Sequence, residues 1–304
     1  MVQHASHSNS SDTQQGDLDM RHLRAIDVHA HYGEMRRDLF RRASMTDLEL
    51  SFISGDAEEV VERARWANTE FTIVSPCLGI QPRGSADAVA GNQEAQQVVG
   101  NTDGLLQWVI VHPQQQETYR QAERMLESSN CVGIKIHPEE HTYPIVDHGR
   151  TLFEFAARHR AFVLAHSGDE RSLPMDFMPF INEFPEVSLI LAHLGNGGRA
   201  AGDPSLQVQA IQASRHGNVY TDTSSARSML PKLIEWAANE IGPDRILFGT
   251  DTPIYFAPAQ RARIDHAALP DHQKRLILRD NAVTLLKRHG TDINDHALHK
   301  GAKL

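Results

Sequence analysis

Short apolar runs alternate with helical patterns along most of the chain, and turn residues separate them. Eight runs read as strands: residues 26–31, 71–75, 105–111, 131–138, 162–166, 188–193, 218–222 and 245–251. Between the first two, Ala57, Val60, Val61, Ala64 and Ala67 recur at helical spacing. Helices are further expected around 87–99, 116–126, 152–157 and 176–183. Leu230, Leu233, Ile234, Ala237, Ala238 and Ile241 form an apolar stripe, and Leu276, Ile277, Leu285 and Leu286 another within 273–288. Strands alternating with helices imply parallel pairing and right-handed crossovers, so eight units predict an α/β fold, a single-domain (β/α)8 TIM barrel. A doubly wound open sheet is the competing architecture. It is disfavoured because no G-x-G-x-x-G follows the first run and polar residues end many runs rather than one switch point.

Alternation also predicts faces. On the first run Asp27, His29 and His31 would share one face, with Ile26 and Val28 on the other. On the fourth, Lys135 and His137 would oppose Ile134 and Ile136.

Composition narrows the partners. The 304 residues carry a formal charge of −9, which leaves no basic footprint for nucleic acid or anionic lipid, and no run approaches a membrane span. A soluble enzyme acting on a small molecule is expected, and a homo-oligomer is compatible with the sequence. Only Cys77 and Cys131 are present, which argues against a disulfide scaffold or thiolate metal site and suits the cytoplasm. Residues 1–22 are polar and read as a disordered N-terminal arm, 23–290 as the barrel, and 291–304 as a C-terminal tail.

The candidate chemistry sits at strand ends. His29 and His31 on the first run, His137 on the fourth, His166 on the fifth, His193 on the sixth and Asp251 on the eighth would converge at the carboxyl face, where barrel active sites lie. Three imidazoles and a carboxylate make a mixed N/O site that suits zinc and accepts manganese, iron or cobalt. Bound zinc lowers the pKa of its water toward about 7, and Asp251 is placed to take that proton. His193 could polarise a substrate carbonyl. Lys135, His137 and Arg227 are the candidate substrate contacts. Arg199 and the loop 195–198 are weaker candidates, and Asp222 is expected to support a ligand rather than to be one.

Asp27-Val28-His29-Ala30-His31, Ala165-His166, Ala192-His193-Leu194-Gly195 and Gly249-Thr250-Asp251-Thr252-Pro253 together resemble the motif series of the amidohydrolase superfamily. The resemblance covers most of the chain after Arg24. It is greatest to the amidohydrolase-related group, which contains metal-dependent hydrolases and nonoxidative decarboxylases such as aminocarboxymuconate-semialdehyde decarboxylase. It implies that His29, His31, His166 and Asp251 bind one metal, most simply Zn2+, and that His193 is the catalytic histidine. Lys135 stands where some binuclear members carry a carbamylated lysine, so a two-metal site is the alternative. The expected activity is hydrolysis of an amide, lactone or ester of a small acidic compound. Nonoxidative decarboxylation of an unsaturated or aromatic acid is the rival, and a non-catalytic binding protein a third reading.

Overall fold

The computed structural model describes residues 20–37, 44–198 and 200–293. Its strands are β1 (Ala25–Tyr32), β2 (Thr69–Pro76), β3 (Leu105–Ile110), β4 (Cys131–Ile136), β5 (Phe162–Ala165), β6 (Leu189–Leu191), β7 (Val219–Asp222) and β8 (Ile246–Leu247). They pair in parallel and in chain order, with helices between, as a (β/α)8 barrel. Backbone bonds beyond the short β8 draw it onto β1: Val28 N–H donates to Phe248 O (2.9 Å), Asp251 N–H to His29 O (2.8 Å) and His31 N–H to Thr252 O (2.7 Å). Among the described residues no helix is long and apolar enough to cross a membrane.

Local chemistry starts several helices. Thr46 and Glu49 form a capping box on the helix Asp47–Phe52, and Asp56 and Asp87 cap Ala57–Trp66 and Ala88–Asn101. The span 176–183 is a 3-10 turn, Pro174–Phe177, running into Met178–Ile181. Helices Leu206–Gln212 and Ala257–Asp265 lack a legible apolar stripe because they bury Gln207, Gln260 and Arg261 among few apolar residues, Val208, Ala210 and Ile211 in the first and Ala257 and Ile264 in the second. Arg261 donates to the carbonyls of Met20 and Leu23, so the turn Met20–His22 belongs to the barrel rather than to the expected arm. Ile293, expected in the tail, packs with Leu285 and Leu286.

The first strand corrects the simple alternation. Asp27 pairs with Thr72 but Ala30 with Val74, so β1 spends one residue more than β2 and bulges between them. Ile26 and Val28 therefore join the interior with Trp108, Phe162, Leu164 and Ile190, while Ala30 and Tyr32 pack outward on Val60 and Val99. Trp108 Nε1–H donates across the barrel to Val28 O (2.8 Å). Asp27 turns toward β8 and accepts from Thr250 Oγ1 (2.5 Å) and Thr250 N–H (3.1 Å). The bulge places Val28 and His29 side by side on the inner face, so His29 and His31 still point inward together. On β4 the register shifts between Cys131 and Gly133, and from Ile134 onward the alternation holds: Lys135 is interior, and Ile134 and Ile136 pack against the outer helices.

Candidate metal centre and active-site cleft

A cleft of about 360 Å3 opens at the carboxyl ends of the strands. His31, His137, His166, His193 and Asp251 meet in its wall, with Met35, Ile80 and Ile254 as apolar lining and Gln81, Glu140, Asn196 and Arg227 as polar lining. Its size and mixed lining are those of a small-molecule site. Arg227 donates to Gly202 O (3.0 Å). Arg199 lies outside the described residues.

On the β1–β8 side, ligand atoms of His29, His31 and Asp251 lie within 4.8 Å of one another. His29 Nδ1 faces Asp222 Oδ2 (2.9 Å) and His31 Nδ1 faces Ser75 O (3.0 Å). Each ring therefore carries its proton on Nδ1 and offers the Nε2 lone pair to the site. His31 Nε2 is 3.2 Å from Asp251 Oδ1 and His29 Nε2 is 3.7 Å from it. Lys135 Nζ reaches His29 Nε2, but His31 Nε2 and Asp251 Oδ1 face each other as acceptors in a buried place, which calls for a cation, so the donor set fits a divalent metal. Burial alone would raise the Asp251 pKa. The imidazoles of His31, His193 and His29 around it outweigh burial and hold the carboxyl below the usual range. Both Asp251 (φ +55°) and His193 (φ +70°) have left-handed backbones, a strained conformation for such residues that re-aims a side chain. Ile190 and Ala192 are interior, so alternation would turn His193 outward, and this kink returns it to the cleft.

His166 was expected with the first three ligands but pairs with His193. His166 Nε2–H donates to Asp169 Oδ2 (2.7 Å), so its Nδ1 lone pair faces His193 Nε2 at 3.1 Å. Ser224 Oγ makes its closest contact with Asp222 Oδ1 and lies 2.9 Å from His193 Nδ1. The Ser224 proton thus goes to Asp222, His193 donates from Nδ1, and a second pair of lone pairs is left facing each other. Asp222 also accepts the His193 N–H (3.0 Å), so one carboxylate orients histidines from β1 and β6. A second metal-like grouping, His29, His193 and Asp222, is this support network, with its hydrogen bonds already made.

Lys135 lies between the two groups, with Nζ 2.8 Å from His29 Nε2. It is fully buried and does not reach the cleft wall. Burial lowers its pKa from 10.5 to about 8. His137 stacks on His166 with ring centroids 4.3 Å apart, and burial pushes its pKa well down.

Sequence reasoning did not anticipate Ser75, Ser224 or Asp169. Ser224 follows Asp222 by two residues and Asp169 follows His166 by three, so the polar runs closing β7 and β5 carried a signal. Ser75 faces His31 Nδ1 with both its carbonyl (3.0 Å) and its Oγ (3.1 Å), and only the hydroxyl closing β2 carried a side-chain signal.

A parallel barrel with a histidine and carboxylate cluster at its carboxyl ends belongs to the metal-dependent class of TIM-barrel enzymes. The amidohydrolase family profile matches residues 26–288, and the chain belongs to that family. A search of curated proteins gives no match. Solved structures share the fold. The 2,6-dihydroxybenzoate decarboxylase from Rhizobium aligns with a TM-score of 0.67 at 15% identity over 88% of this chain and 99% of that one. A dihydroxybenzoic acid decarboxylase from a Polaromonas species, solved with manganese and 2-nitroresorcinol, gives 0.66 at 18% identity over 87% and 97%. The 5-carboxyvanillate decarboxylase from Novosphingobium aromaticivorans, solved with manganese and 4-hydroxy-3-methoxy-5-nitrobenzoic acid, gives 0.66 at 14% identity over 88% and 97%.

Proposed function

We propose that the protein is a metal-dependent hydrolase of a small acidic amide, lactone or ester. The observation that carries this reading is the pair of lone-pair groups, His29/His31/Asp251 and His166/His193, facing one cleft. A divalent ion there, with zinc favoured by the N/N/O donors, would supply Lewis acidity and a lowered water pKa. His29, His31 and Asp251 would hold it, with His166 as the fourth donor. Asp251, kept ionised, is the base that takes a proton from water at its free oxygen. His193 orients the substrate carbonyl, and Arg227 and His137 contact the rest of the substrate. A cavity of roughly 150 Å3 already accepts a benzene ring, so this cleft accommodates one substituted ring.

A two-ion form is the alternative, and two features support it. His193 and His166 confront each other as acceptors, and Lys135 is too buried to grip a substrate carboxylate. Carbamylated, Lys135 would become an anionic bridge. Nonoxidative decarboxylation is the second reading, supported by the named activities of the fold neighbours and by the manganese in two of them. Cys77 and Cys131, both buried and in no disulfide, support a reducing compartment such as the cytoplasm.

Two measurements test this. Purified protein reloaded with zinc or manganese is screened on lactones, esters, amides and hydroxybenzoates, scoring acid release and carbon dioxide release separately. Hydrolysis gives acid alone, and carbon dioxide release from an aromatic acid overturns it in favour of the second reading. Metal titration saturating at two equivalents, with one carbon dioxide added to the Lys135 peptide, selects the two-ion form.

A further inference from the structure

The loop after β4 holds a buried arrangement that the metal chemistry does not use. His137 Nδ1 accepts from the backbone N–H of Glu140 at 3.3 Å. Glu140 is itself fixed twice from the loop after β2. Its carboxylate takes both Arg83 nitrogens, NH2 at 3.0 Å and Nε at 3.4 Å, and its carbonyl accepts from Gly84 N–H at 2.7 Å. Both side chains of that ion pair are more than nine-tenths buried, at 8% and 3% exposure. The neighbouring Glu139 carboxylate accepts from Arg171 N–H, tying the same loop to the one after β5. The His137 ring lies flat on His166 with an interplanar angle of 12°, a contact that favours this ring plane.

A backbone N–H aimed at Nδ1 admits one tautomer of a neutral imidazole, since a proton on Nδ1 would face another proton. The remaining ring nitrogen, Nε2, then carries N–H, and His137 is part of the cleft wall. We propose that His137 is the specificity-determining donor of this cleft, presenting Nε2–H to a carboxylate or carbonyl oxygen of a flat substrate, and that the Arg83–Glu140 pair is the positioning device that locks its tautomer. The proposal rests on the cleft being the substrate site and holds for hydrolysis and decarboxylation alike. It also gives Arg83 a part in recognition, although the residues of the loop after β2 that line the cleft are Cys77, Ile80 and Gln81.

Long-range 1H–15N spectroscopy of the histidine rings reads the lock without any turnover. The His137 signals, assigned by their loss in His137→Phe, should show unprotonated Nδ1 and protonated Nε2. Arg83→Met should turn them into a tautomer mixture, and Arg83→Lys should restore much of the single form. An Nδ1-protonated ring in the wild type, or an unchanged ring in Arg83→Met, overturns the positioning claim. Benzoate is the probe for the donor. Its titration should shift the Nε2 signal, and affinity should fall about tenfold or more in His137→Phe, the size of one hydrogen bond to a charged group, at unchanged metal content. His137→Gln, which returns an N–H at similar reach, should recover most of that loss. No Nε2 shift, or equal affinity in wild type and His137→Phe, overturns the donor role. Failure of the turnover screen with a locked, benzoate-responsive His137 would instead count against the hydrolase reading alone.

Discussion

The two walls of the cleft use the same residue type in opposite ways. On the β1–β8 wall each imidazole is anchored from behind, His29 by the Asp222 carboxylate and His31 by the Ser75 carbonyl, so both present Nε2 toward Asp251. On the β4–β6 wall the imidazoles lean on one another: His137 stacks on His166, and His166 faces His193. The first wall has converging donors held from behind, the arrangement a preorganised ion seat requires. The second is shaped by loops, Glu140 behind His137 and Asp169 behind His166, and suits substrate contact or a second ion.

The comparison breaks most completely at the first wall. His29→Ala should remove bound metal and lower turnover by about a thousandfold or more, since a metal supplies several kcal/mol of transition-state stabilisation. Elemental analysis showing undiminished metal in that variant would place the ion elsewhere. Asp251→Asn should lower turnover by roughly 10²- to 10⁴-fold, the worth of a general base, while metal content falls less than in His29→Ala. Full activity in Asp251→Asn would end its role as base.

Support residues should give smaller effects. Asp222→Asn removes the carboxylate behind His29 and should weaken metal affinity by about 10- to 100-fold in a chelator competition. Ser75→Ala should weaken affinity less than Asp222→Asn, because the main-chain carbonyl facing His31 Nδ1 at 3.0 Å remains when the Oγ at 3.1 Å is removed. Equal losses in the two variants would contradict the anchoring described here.

Lys135 stands between the walls and gives the mildest test. Its folded pKa of about 8 lies below the ordinary 10.5, so between those values the unfolded chain binds more protons than the folded one. Stability of metal-free protein should therefore rise with pH across that window, by up to on the order of 3 kcal/mol. Lys135→Met should flatten the rise in urea unfolding curves. A rise that persists in the variant would assign it to other groups.

The order of strands, the convergence of His29, His31, His166, His193 and Asp251 at one face, and the family were all legible in the chain. Apolar periodicity and strand-end chemistry are local properties, so no tertiary information was needed. The helix Leu206–Gln212 was not legible, because the side chain it buries on the cleft side is a glutamine bonded to the Asn196 carbonyl (3.0 Å). The faces of Ile26, Val28 and Asp27 were misjudged because a bulge depends on the pairing partner, here β2, and leaves no mark in β1 alone.

Sequence by itself determined which donors the site has and at which end of the barrel they gather, because strand order and residue type are enough for that. Tertiary structure decided which nitrogen each histidine offers. That choice is made by whatever faces the other nitrogen: a carboxylate 193 positions away for His29, a carbonyl on the next strand for His31, and a loop N–H for His137. It also decided that Lys135 is buried against His29 Nε2 instead of lining the cleft. Hydrogen-bond partners so distant in the chain are set by packing, and packing is where this cleft acquired its chemistry.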